Sequence, residues 1–276
     1  MQKPYISVII PLYNKELIVE RSIKSVLNQS FKDFELIIVD DGSTDGSVSI
    51  VESIHDDRIR LFKQENGGPS KARNTGVKMA KGDWVLFLDA DDELLLDALE
   101  TFLTLINKFP NFDIYNCGRY VQKGREKHYL HLWKDECVTN NFKAWYFNRI
   151  SPGTGATLFR KAFILSYPYD ESLRRYEDGE LLFRILKKAK IYTSSKITEI
   201  HNVDFSEASH ARRNICDDFI GHLYFHGLSF WGRMCMYKLY LENRDLYPEQ
   251  MRRLYPLWRF RYDLLLINKL ANALLR

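Results

Sequence analysis

The sequence predicts an α/β fold, in which a mainly parallel sheet is flanked by helices and followed by a helical C-terminal extension. Three observations lead to this prediction. Short β-branched apolar runs alternate with segments of helical spacing over the first ninety residues. Polar and glycine-rich motifs follow the ends of these runs. The 276 residues are 45% hydrophobic and 28% charged, a composition typical of a globular chain with a substantial core.

The first half of the chain repeats a strand–helix unit. The predicted strands are Ile6–Ile10, Phe34–Val39, Ile59–Phe62 and Trp84–Leu88. Three helices are predicted between these strands. The first covers about Ile18 to Leu27, the second follows the turn after the second strand and ends at about Ile54, and the third runs from the segment 67–70 to about Ala80. Ser43, Thr44 or Asp45 can cap the second of these helices. A repeated strand–helix order predicts parallel strands, whose carboxyl ends meet at one ligand-binding edge.

The second half is less regular and predicts a boundary near residue 210. From about Ile114 the pattern loosens into shorter strands and loops, followed by a helix predicted at Gly179–Ala189. Beyond Ala211 the sequence predicts helices rich in Tyr, Trp and Arg. We therefore expect a main domain over residues 1–210 and a helical extension over residues 211–276.

Charge is unevenly distributed along the chain. Residues 211–276 contain eleven Lys or Arg against six Asp or Glu, which leaves residues 1–210 at −1 within a net charge of +4. The same 66 residues hold twelve aromatic side chains. A basic and aromatic segment suits a surface that faces anionic lipid or a phosphorylated acceptor. Packed helices with solvated cations explain the composition equally well.

The location of the protein is predicted from what the sequence lacks. Four cysteines show no pairing typical of zinc sites and are expected to be free thiols. The N-terminus lacks the apolar region of a signal peptide, and no stretch has about 18 apolar residues. We expect a cytoplasmic protein, with a peripheral position at the inner face of the membrane as an extension of this prediction.

An acidic cluster follows the fourth predicted strand. Asp89, Asp91 and Asp92 would repel one another at a strand end unless a cation neutralised them. Oxygen ligands favour Mg²⁺ or Mn²⁺, which proteins often share with substrate phosphates. The alternative is a helix N-terminus, where the helix dipole favours acidic residues. We predict a divalent metal site at these three residues.

Two further polar motifs fall at the same edge of the sheet. Asp40 and Asp41 follow the second strand and suit hydrogen bonds to a ribose or a base, although an Asx turn is the simpler explanation. Asn66 and Gly67 precede a helix that carries Arg73, which suits a base or phosphate contact. A solvated first helical turn is the alternative there. The sequence thus favours a nucleotide site.

Candidate proton acceptors and further ligands lie later in the chain. Glu177 and Asp178 open a helix, where acidic residues are often only partners of the helix dipole. A transferase that binds a metal-associated donor still needs a base for the acceptor hydroxyl, and a carboxylate is a suitable one. His201 and His210 flank a polar loop, and either is a candidate for contact with metal or pyrophosphate.

These motifs together resemble glycosyltransferase family 2, whose members have the GT-A fold. The resemblance covers about residues 5 to 190 and is carried by five motifs in order, VIIPLYN, DDGSTD, NGGPSKARNTGVKMAKGDWV, FLDADD and YEDGELLFRIL. It implies that residues 1–210 form the nucleotide-sugar-binding catalytic domain. It also implies that the segment Gly153–Arg160 lines the donor-sugar pocket and that Asp178 is the catalytic base.

The resemblance assigns the remaining site residues. The donor-binding positions are Pro11, Tyr13, Asn14, Asp40, Asp41, Asn66, Gly67, Arg73 and Asp89. Asp89 with Asp91, or Asp91 with Asp92, matches the motif that meets ribose and metal. The implied reaction is an inverting transfer from a nucleotide diphosphate sugar, a UDP-sugar above all, with Mn²⁺ or Mg²⁺ as cofactor. The acceptor would be a hydroxyl of a glycan or lipid-linked molecule in bacterial surface polysaccharide assembly, and no nucleic acid partner is expected.

Three other functions are alternatives to glycosyl transfer. A nicotinamide-dependent dehydrogenase would need GxGxxG after a strand, and the chain contains none. A sugar nucleotidyltransferase would release pyrophosphate from a nucleoside triphosphate. A non-catalytic nucleotide-binding module would not need the acidic motifs that are all present. The sequence leaves the sugar and the acceptor open, because one fold supports many substrates.

Overall fold

The computed structural model describes residues 4–130, 135–150, 154–205, 215–224, 227–243 and 246–255. It confirms the predicted α/β class, since a central sheet carries helices on both faces. From one edge of the sheet to the other, its strands are β3 (Ile59–Lys63), β2 (Phe34–Asp40), β1 (Ile6–Leu12), β4 (Trp84–Phe87), β9 (Thr157–Arg160), β6 (Ile114–Lys123), β10 (Ile191–Asn202) and β5 (Glu93–Leu94). Two further strands join them, since β7 (Glu126–Leu130) pairs with β6 and β8 (Glu136–Cys137) pairs with β10.

The first four strands form the parallel part of the sheet, as predicted. They are β1 Ile6–Leu12, β2 Phe34–Asp40, β3 Ile59–Lys63 and β4 Trp84–Phe87. Strand β1 is buried on both faces, which explains its nearly continuous apolar sequence. Ile6, Val8 and Ile10 pack into one core cluster while Ile9 packs into the other, because successive side chains of a strand alternate between faces.

The helices between these strands cover both faces of the sheet. They are α1 Val19–Leu27, α2 Ser47–Ser53 and α3 Pro69–Met79. The predicted capping of α2 by Ser43, Thr44 or Asp45 is wrong, because Gly46 occupies the N-cap and makes no side-chain cap. The Asp45 carboxylate instead accepts hydrogen bonds from the backbone N–H and hydroxyl of Ser47, which closes a local turn.

Beyond β4 the sheet becomes mixed. The strands are β5 Glu93–Leu94, β6 Ile114–Lys123, β7 Glu126–Leu130, β8 Glu136–Cys137, β9 Thr157–Arg160 and β10 Ile191–Asn202. The helices are α4 Ala98–Lys108, α5 Asn141–Tyr146, α6 Lys161–Ile164 and α7 Glu177–Ile185. Strand β9 runs antiparallel to both of its neighbours, β4 and β6. Helix α7 begins two residues before its predicted start and ends before its predicted end at Ala189.

The C-terminal region adds helices α8 Phe230–Asn243 and α9 Pro248–Leu254. Tyr237, Tyr240, Tyr247 and Tyr255 are buried here, in the same core cluster as residues of α3, α5 and α7. Packing against the main domain therefore accounts for much of the aromatic content of this region. The proposed boundary at residue 210 stays a prediction. Among the described residues, no helix combines the length and apolar character needed to span a membrane.

Candidate active site

Asp41, just after β2, organises a loop at the carboxyl edge of the sheet. Its Oδ1 accepts hydrogen bonds from Gln64 Nε2 at 2.7 Å and from the Gly67 N–H at 2.9 Å. Its Oδ2 accepts one from the Gly68 N–H at 2.7 Å. The carboxylate is buried. Asp41 therefore holds the loop that leads into α3 through both of its carboxylate oxygens.

Two glycines allow this loop to approach its surroundings closely. Gly42 has φ +79°, and a Cβ there would lie 3.0 Å from the Asn66 backbone nitrogen. Gly68 has φ +88°, and a Cβ there would collide with the guanidinium of Arg174. Both positions favour glycine because positive φ is strained for other residues. The backbone of Asn66 thus lies close to Gly42, and Gly68 lies close to the side chain of Arg174.

The loop after β1 is tied to the loop after β2. Asn14, with φ 50°, accepts the Thr44 N–H on its side-chain oxygen at 2.8 Å and donates its own backbone N–H to the Ser43 hydroxyl. Tyr13 is 47% exposed, which leaves its ring open to a planar ligand. Pro11 lies within β1 beside Val39 of β2. Asp40 is buried and accepts the Ser43 N–H.

The acidic cluster after β4 places its three carboxylates in different settings. Asp89 accepts a hydrogen bond from Arg73 at 2.8 Å, and this cation outweighs burial and lowers the pKa of Asp89. Asp91 pairs with the ammonium of Lys15 at 2.9 Å. Burial, followed by the charge of Asp89, raises the pKa of Asp91. An excess of negative charge thus collects at Asp91 and is partly offset by Lys15.

Asp92 is fully buried and contacts β10 through both of its carboxylate oxygens. Its Oδ2 lies 2.9 Å from His201 Nδ1, and its Oδ1 accepts the Asn202 N–H at 2.8 Å. Burial opposes protonation of His201, but the hydrogen bond and charge of Asp92 outweigh it and raise the pKa of the imidazole. Asp92, Glu199 and His201 form a cluster of potential metal ligands within 4.8 Å of one another.

Glu199 is a site residue that the sequence analysis missed. It is fully buried on β10, where its Oε1 accepts the Gly155 N–H at 3.1 Å. Its Oε2 has no hydrogen-bond partner among the described residues. Burial, followed by the charge of Asp92, raises the pKa of Glu199 to about 7. No motif signals this residue, because only the register of β10 brings it beside Asp92.

Arg73 joins the acidic cluster to the Glu177–Asp178 pair. It is buried on α3, and its guanidinium contacts Asp89 Oδ1 at 2.8 Å and Glu177 Oε1 at 2.9 Å. Asp178 Oδ1 lies 3.7 Å away from the same guanidinium. One cation therefore links a carboxylate from the segment after β4 with carboxylates from α7. These three contacts are to carboxylates of the protein itself. The motif that contains Arg73 had indicated a contact with a base or a phosphate instead.

Asp178 is the carboxylate whose surroundings best suit proton transfer. Its side chain keeps 31% exposure, while its Oδ1 is enclosed and has no hydrogen-bond partner among the described residues. Apolar side chains that include Phe87 and Leu182 line a small cavity beside it. Burial raises the pKa of Asp178 to about 7 against the attraction of Arg73, and the charge of Glu177 adds to the rise. Asp178 can therefore exchange a proton near neutral pH.

Other residues of the site were missed or lie outside the described residues. Tyr169 shares a hydrogen bond with Asp178 and stacks its ring under Arg73, 5.2 Å from the guanidinium carbon. Lys15, which pairs with Asp91, was also missed. The available signal for Lys15 was its position directly after the PLYN motif, at the edge of the sheet where the acidic cluster was predicted. His210 and Gly153 fall among the residues that the structure does not describe. Residues 154–160 are the described part of the segment that was predicted to line the donor-sugar pocket. They include β9, and the Thr154 hydroxyl donates a hydrogen bond to Asp89.

Acidic residues near strand ends, linked by one buried arginine to a carboxylate whose pKa is raised to about 7, fit an α/β group-transfer enzyme. The family model for glycosyl transferase family 2 matches residues 7–165. The chain belongs to glycosyltransferase family 2, and it is a glycosyltransferase with the GT-A fold.

Two relatives and one solved structure illustrate the proteins that this chain is similar to. The GalNAc(5)-diNAcBac-PP-undecaprenol beta-1,3-glucosyltransferase of Campylobacter jejuni is 31% identical over 80% of this chain and 72% of its own length. The minor teichoic acid biosynthesis protein GgaA of Bacillus subtilis is 34% identical over 67% of this chain and 44% of its own. S. aureus TarS in complex with UDP-GlcNAc superimposes with a TM-score of 0.68 at 25% identity, over 76% of this chain and 62% of that structure. The chain thus spans less than half of the length of GgaA and less than two thirds of the length of the TarS structure.

Proposed function

We propose that this glycosyltransferase moves a sugar from a nucleotide diphosphate donor, a UDP-sugar above all, to a hydroxyl of a glycan or lipid-linked acceptor with inversion at the anomeric carbon. The observation that carries the proposal is the environment of the Asp178 carboxylate. It is a carboxylate with a pKa of about 7, it is partly exposed, and Arg73 links it to the acidic cluster. A base in this position is what direct attack by a hydroxyl requires.

The donor site is proposed at the edge of the sheet where the first three motifs meet. Its residues are Pro11, Tyr13, Asn14, Asp40, Asp41, Asn66, Gly67, Arg73 and Asp89. Exposed Tyr13 supports base stacking, while Asp41 acts by holding the Gly67–Gly68 loop. The choice of uridine is supported by the similarity to TarS, which was solved with UDP-GlcNAc.

A divalent cation, Mn²⁺ or Mg²⁺, fits the oxygen donors of the acidic cluster. Asp91 is the best candidate ligand, because its carboxylate lies beside the charge of Asp89, which together with burial raises its pKa, and it already binds one cation, the ammonium of Lys15. Asp89 is a second candidate beside it. Asp92 already accepts two hydrogen bonds, so we assign it to orienting His201, whose Nε2 would then be the ligand atom. When bound, the cation would stabilise charge on the departing diphosphate as a Lewis acid.

The proposed reaction is a single displacement. The Asp178 carboxylate accepts the proton of the acceptor hydroxyl, whose oxygen forms the new bond to the anomeric carbon. The bond from that carbon to the diphosphate oxygen breaks, and the electron pair leaves with the nucleoside diphosphate. Attack from the face opposite the leaving group inverts the anomeric configuration. The transition state should resemble an oxocarbenium ion, as at other glycosyl centres.

A screen of donors tests the proposal and its rivals. Purified protein with Mn²⁺ would be incubated with UDP-, GDP- and dTDP-sugars and with undecaprenyl-diphosphate-linked acceptors, and nucleoside diphosphate release would be measured. We expect release from a UDP-sugar, and NMR should show a product with the opposite anomeric configuration. Release of pyrophosphate from a nucleoside triphosphate would instead support a nucleotidyltransferase. Retained configuration would remove the single-displacement mechanism.

The acceptor is proposed to be lipid-linked and reached at an anionic membrane surface. The C. jejuni relative is named for an undecaprenol-linked substrate, and residues 211–276 of this chain carry a balance of +5. Each basic residue near an anionic surface contributes about 1 kcal/mol, and the attraction should weaken with salt. Co-sedimentation with anionic vesicles should exceed that with neutral vesicles. Equal binding to both would count against a membrane role for this charge.

A further inference from the structure

Tyr176, directly before the Glu177–Asp178 pair, has an unusual backbone conformation. It adopts φ 56° and ψ 23°, in the left-handed region, and forms the N-cap of α7. Left-handed backbone is strained for a bulky residue other than glycine and persists only where surrounding contacts enforce it. The chain therefore needs a specific restraint at the residue that leads into the proposed base.

The C-terminal helices supply this restraint. The Tyr176 hydroxyl donates a hydrogen bond of 2.7 Å to the side-chain oxygen of Asn243, the last residue of α8. Asn243 is only 2% exposed, and its amide nitrogen donates to the Leu239 carbonyl at 2.9 Å. Its acceptor oxygen is thereby directed toward the tyrosine. A buried side chain with both ends engaged has little freedom to move.

The residue before Tyr176 is held by the same region. Arg175 forms a parallel bridge with Asp218, and its carbonyl accepts the Phe219 N–H at 3.2 Å. Asp218 is fully buried and is held by the Tyr247 hydroxyl at 3.1 Å and the Ile220 N–H at 2.9 Å. The chain entering α7 is thus fixed from two sides by residues beyond position 214.

The geometry points to Tyr176 and Asn243 as positioning residues, which hold the first turn of α7 so that Asp178 meets the acceptor hydroxyl. This role depends on the proposed function, in which Asp178 is the base. It gives the C-terminal region a part in catalysis that is separate from any contact with lipid or acceptor. Since a displacement of about 1 Å can cost about 10²-fold in rate, small relaxation of this turn should be visible in turnover.

The test is Tyr176→Phe, which removes one hydroxyl and keeps the ring. We expect kcat to fall by about 10- to 100-fold, while KM for the donor and the Kd for UDP stay within about twofold. Asn243→Leu should have a similar effect, and the double variant should be no worse than either single one. Tyr255→Phe is the matched control, because its hydroxyl also makes buried hydrogen bonds in this region, to the Leu223 N–H and the Ile220 carbonyl.

Hydrogen exchange provides a readout that does not depend on activity. Amides at the start of α7 should exchange faster in Tyr176→Phe than in the wild type or in Tyr255→Phe. If Tyr176→Phe matches Tyr255→Phe in both kcat and exchange, the positioning role is overturned. If the wild type transfers no sugar from any donor, the proposed function fails, whereas the exchange comparison still decides whether Tyr176 restrains this turn.

Discussion

The candidate site has two ends, which we name for their proposed roles. The nucleotide end is formed by Asn14, Asp41, Gly67 and Gly68, and the base end is formed by Arg73, Glu177 and Asp178. At the nucleotide end, the side chains of Asn14 and Asp41 accept hydrogen bonds from N–H groups of neighbouring loops, and the donors of these bonds all lie within the first 68 residues. At the base end, charged side chains meet from α3, from the segment after β4 and from α7, and the residue before α7 is hydrogen-bonded to α8.

This difference predicts how each end of the site should respond to amino-acid substitutions. The nucleotide end uses short motifs with hydrogen bonds from fixed backbone groups, so each motif carries its own structure. The base end depends on packing between elements that are distant in sequence, and it keeps a carboxylate at a pKa near 7 against a neighbouring cation. Substitutions at the base end should therefore change turnover, whereas those at the nucleotide end should change binding and stability.

Asp178→Asn should have the largest effect, because it keeps the size of the side chain but removes the proton acceptor. We expect kcat to fall by about 10²–10⁴-fold, with the Kd for UDP nearly unchanged. Single-turnover kinetics and calorimetry would measure the two quantities. Glu180→Gln is the control on the same helix, since Glu180 pairs with Arg184 and not with the site. A loss confined to KM would mean that Asp178 binds the acceptor without taking its proton.

The pKa of Asp178 also predicts a dependence on pH. Activity should decline as pH falls through about 7, because the base becomes protonated. Folding raises this pKa from its ordinary value of 3.8, so the stability gained by holding the proton is present below about pH 4 and is lost as pH rises to about 7. Asn stays neutral. The stability of Asp178→Asn relative to wild type should therefore increase from pH 4 to pH 7, which thermal unfolding can measure.

Asp91→Ala should cause the next largest loss. Removing a metal ligand should weaken UDP binding in Mn²⁺ by about 100-fold or more, since even outer-shell partners contribute about 10- to 100-fold. Titration calorimetry with and without Mn²⁺ would separate this loss from any effect on the nucleotide alone. Asp97→Ala removes an exposed carboxylate six residues away and should leave binding unchanged. Undiminished Mn²⁺-dependent binding by Asp91→Ala would remove Asp91 from the metal site.

The sequence predicted the first four strands better than the later part of the sheet. Strands β1 to β4 lie within two residues of their predicted bounds, because apolar runs and turn motifs are local signals. The antiparallel insertion of β9 between β4 and β6 was not predicted, since strand order depends on tertiary packing. Glu199 and the link between Tyr176 and Asn243 gave no signal, because residues far apart in sequence meet there.

Asp41→Asn tests the nucleotide end directly. An amide can accept only some of the three hydrogen bonds that the carboxylate now accepts, and it removes their charge assistance. We expect the free energy of unfolding to fall by about 1–3 kcal/mol and UDP affinity to fall by about tenfold, with kcat nearly constant. Glu65→Gln, an exposed change in the same loop, is the control. A fall in kcat alone would contradict the separation of the two ends.

Lys15→Met should have the smallest effect and sharpens the view of the acidic cluster. The Lys15 ammonium lies 2.9 Å from Asp91, and both side chains are partly exposed, at 26% and 13%. Pairs of this kind contribute about 0.2–1 kcal/mol, so Mn²⁺ measured without nucleotide should bind up to about fivefold more tightly once its competitor is removed. Lys24→Met removes a different surface pair, with Glu20, and should leave Mn²⁺ affinity unchanged. Weaker Mn²⁺ binding by Lys15→Met would show that Lys15 supports the metal site instead of competing for it. Since methionine keeps the apolar stem, either result would be due to the charge at the tip.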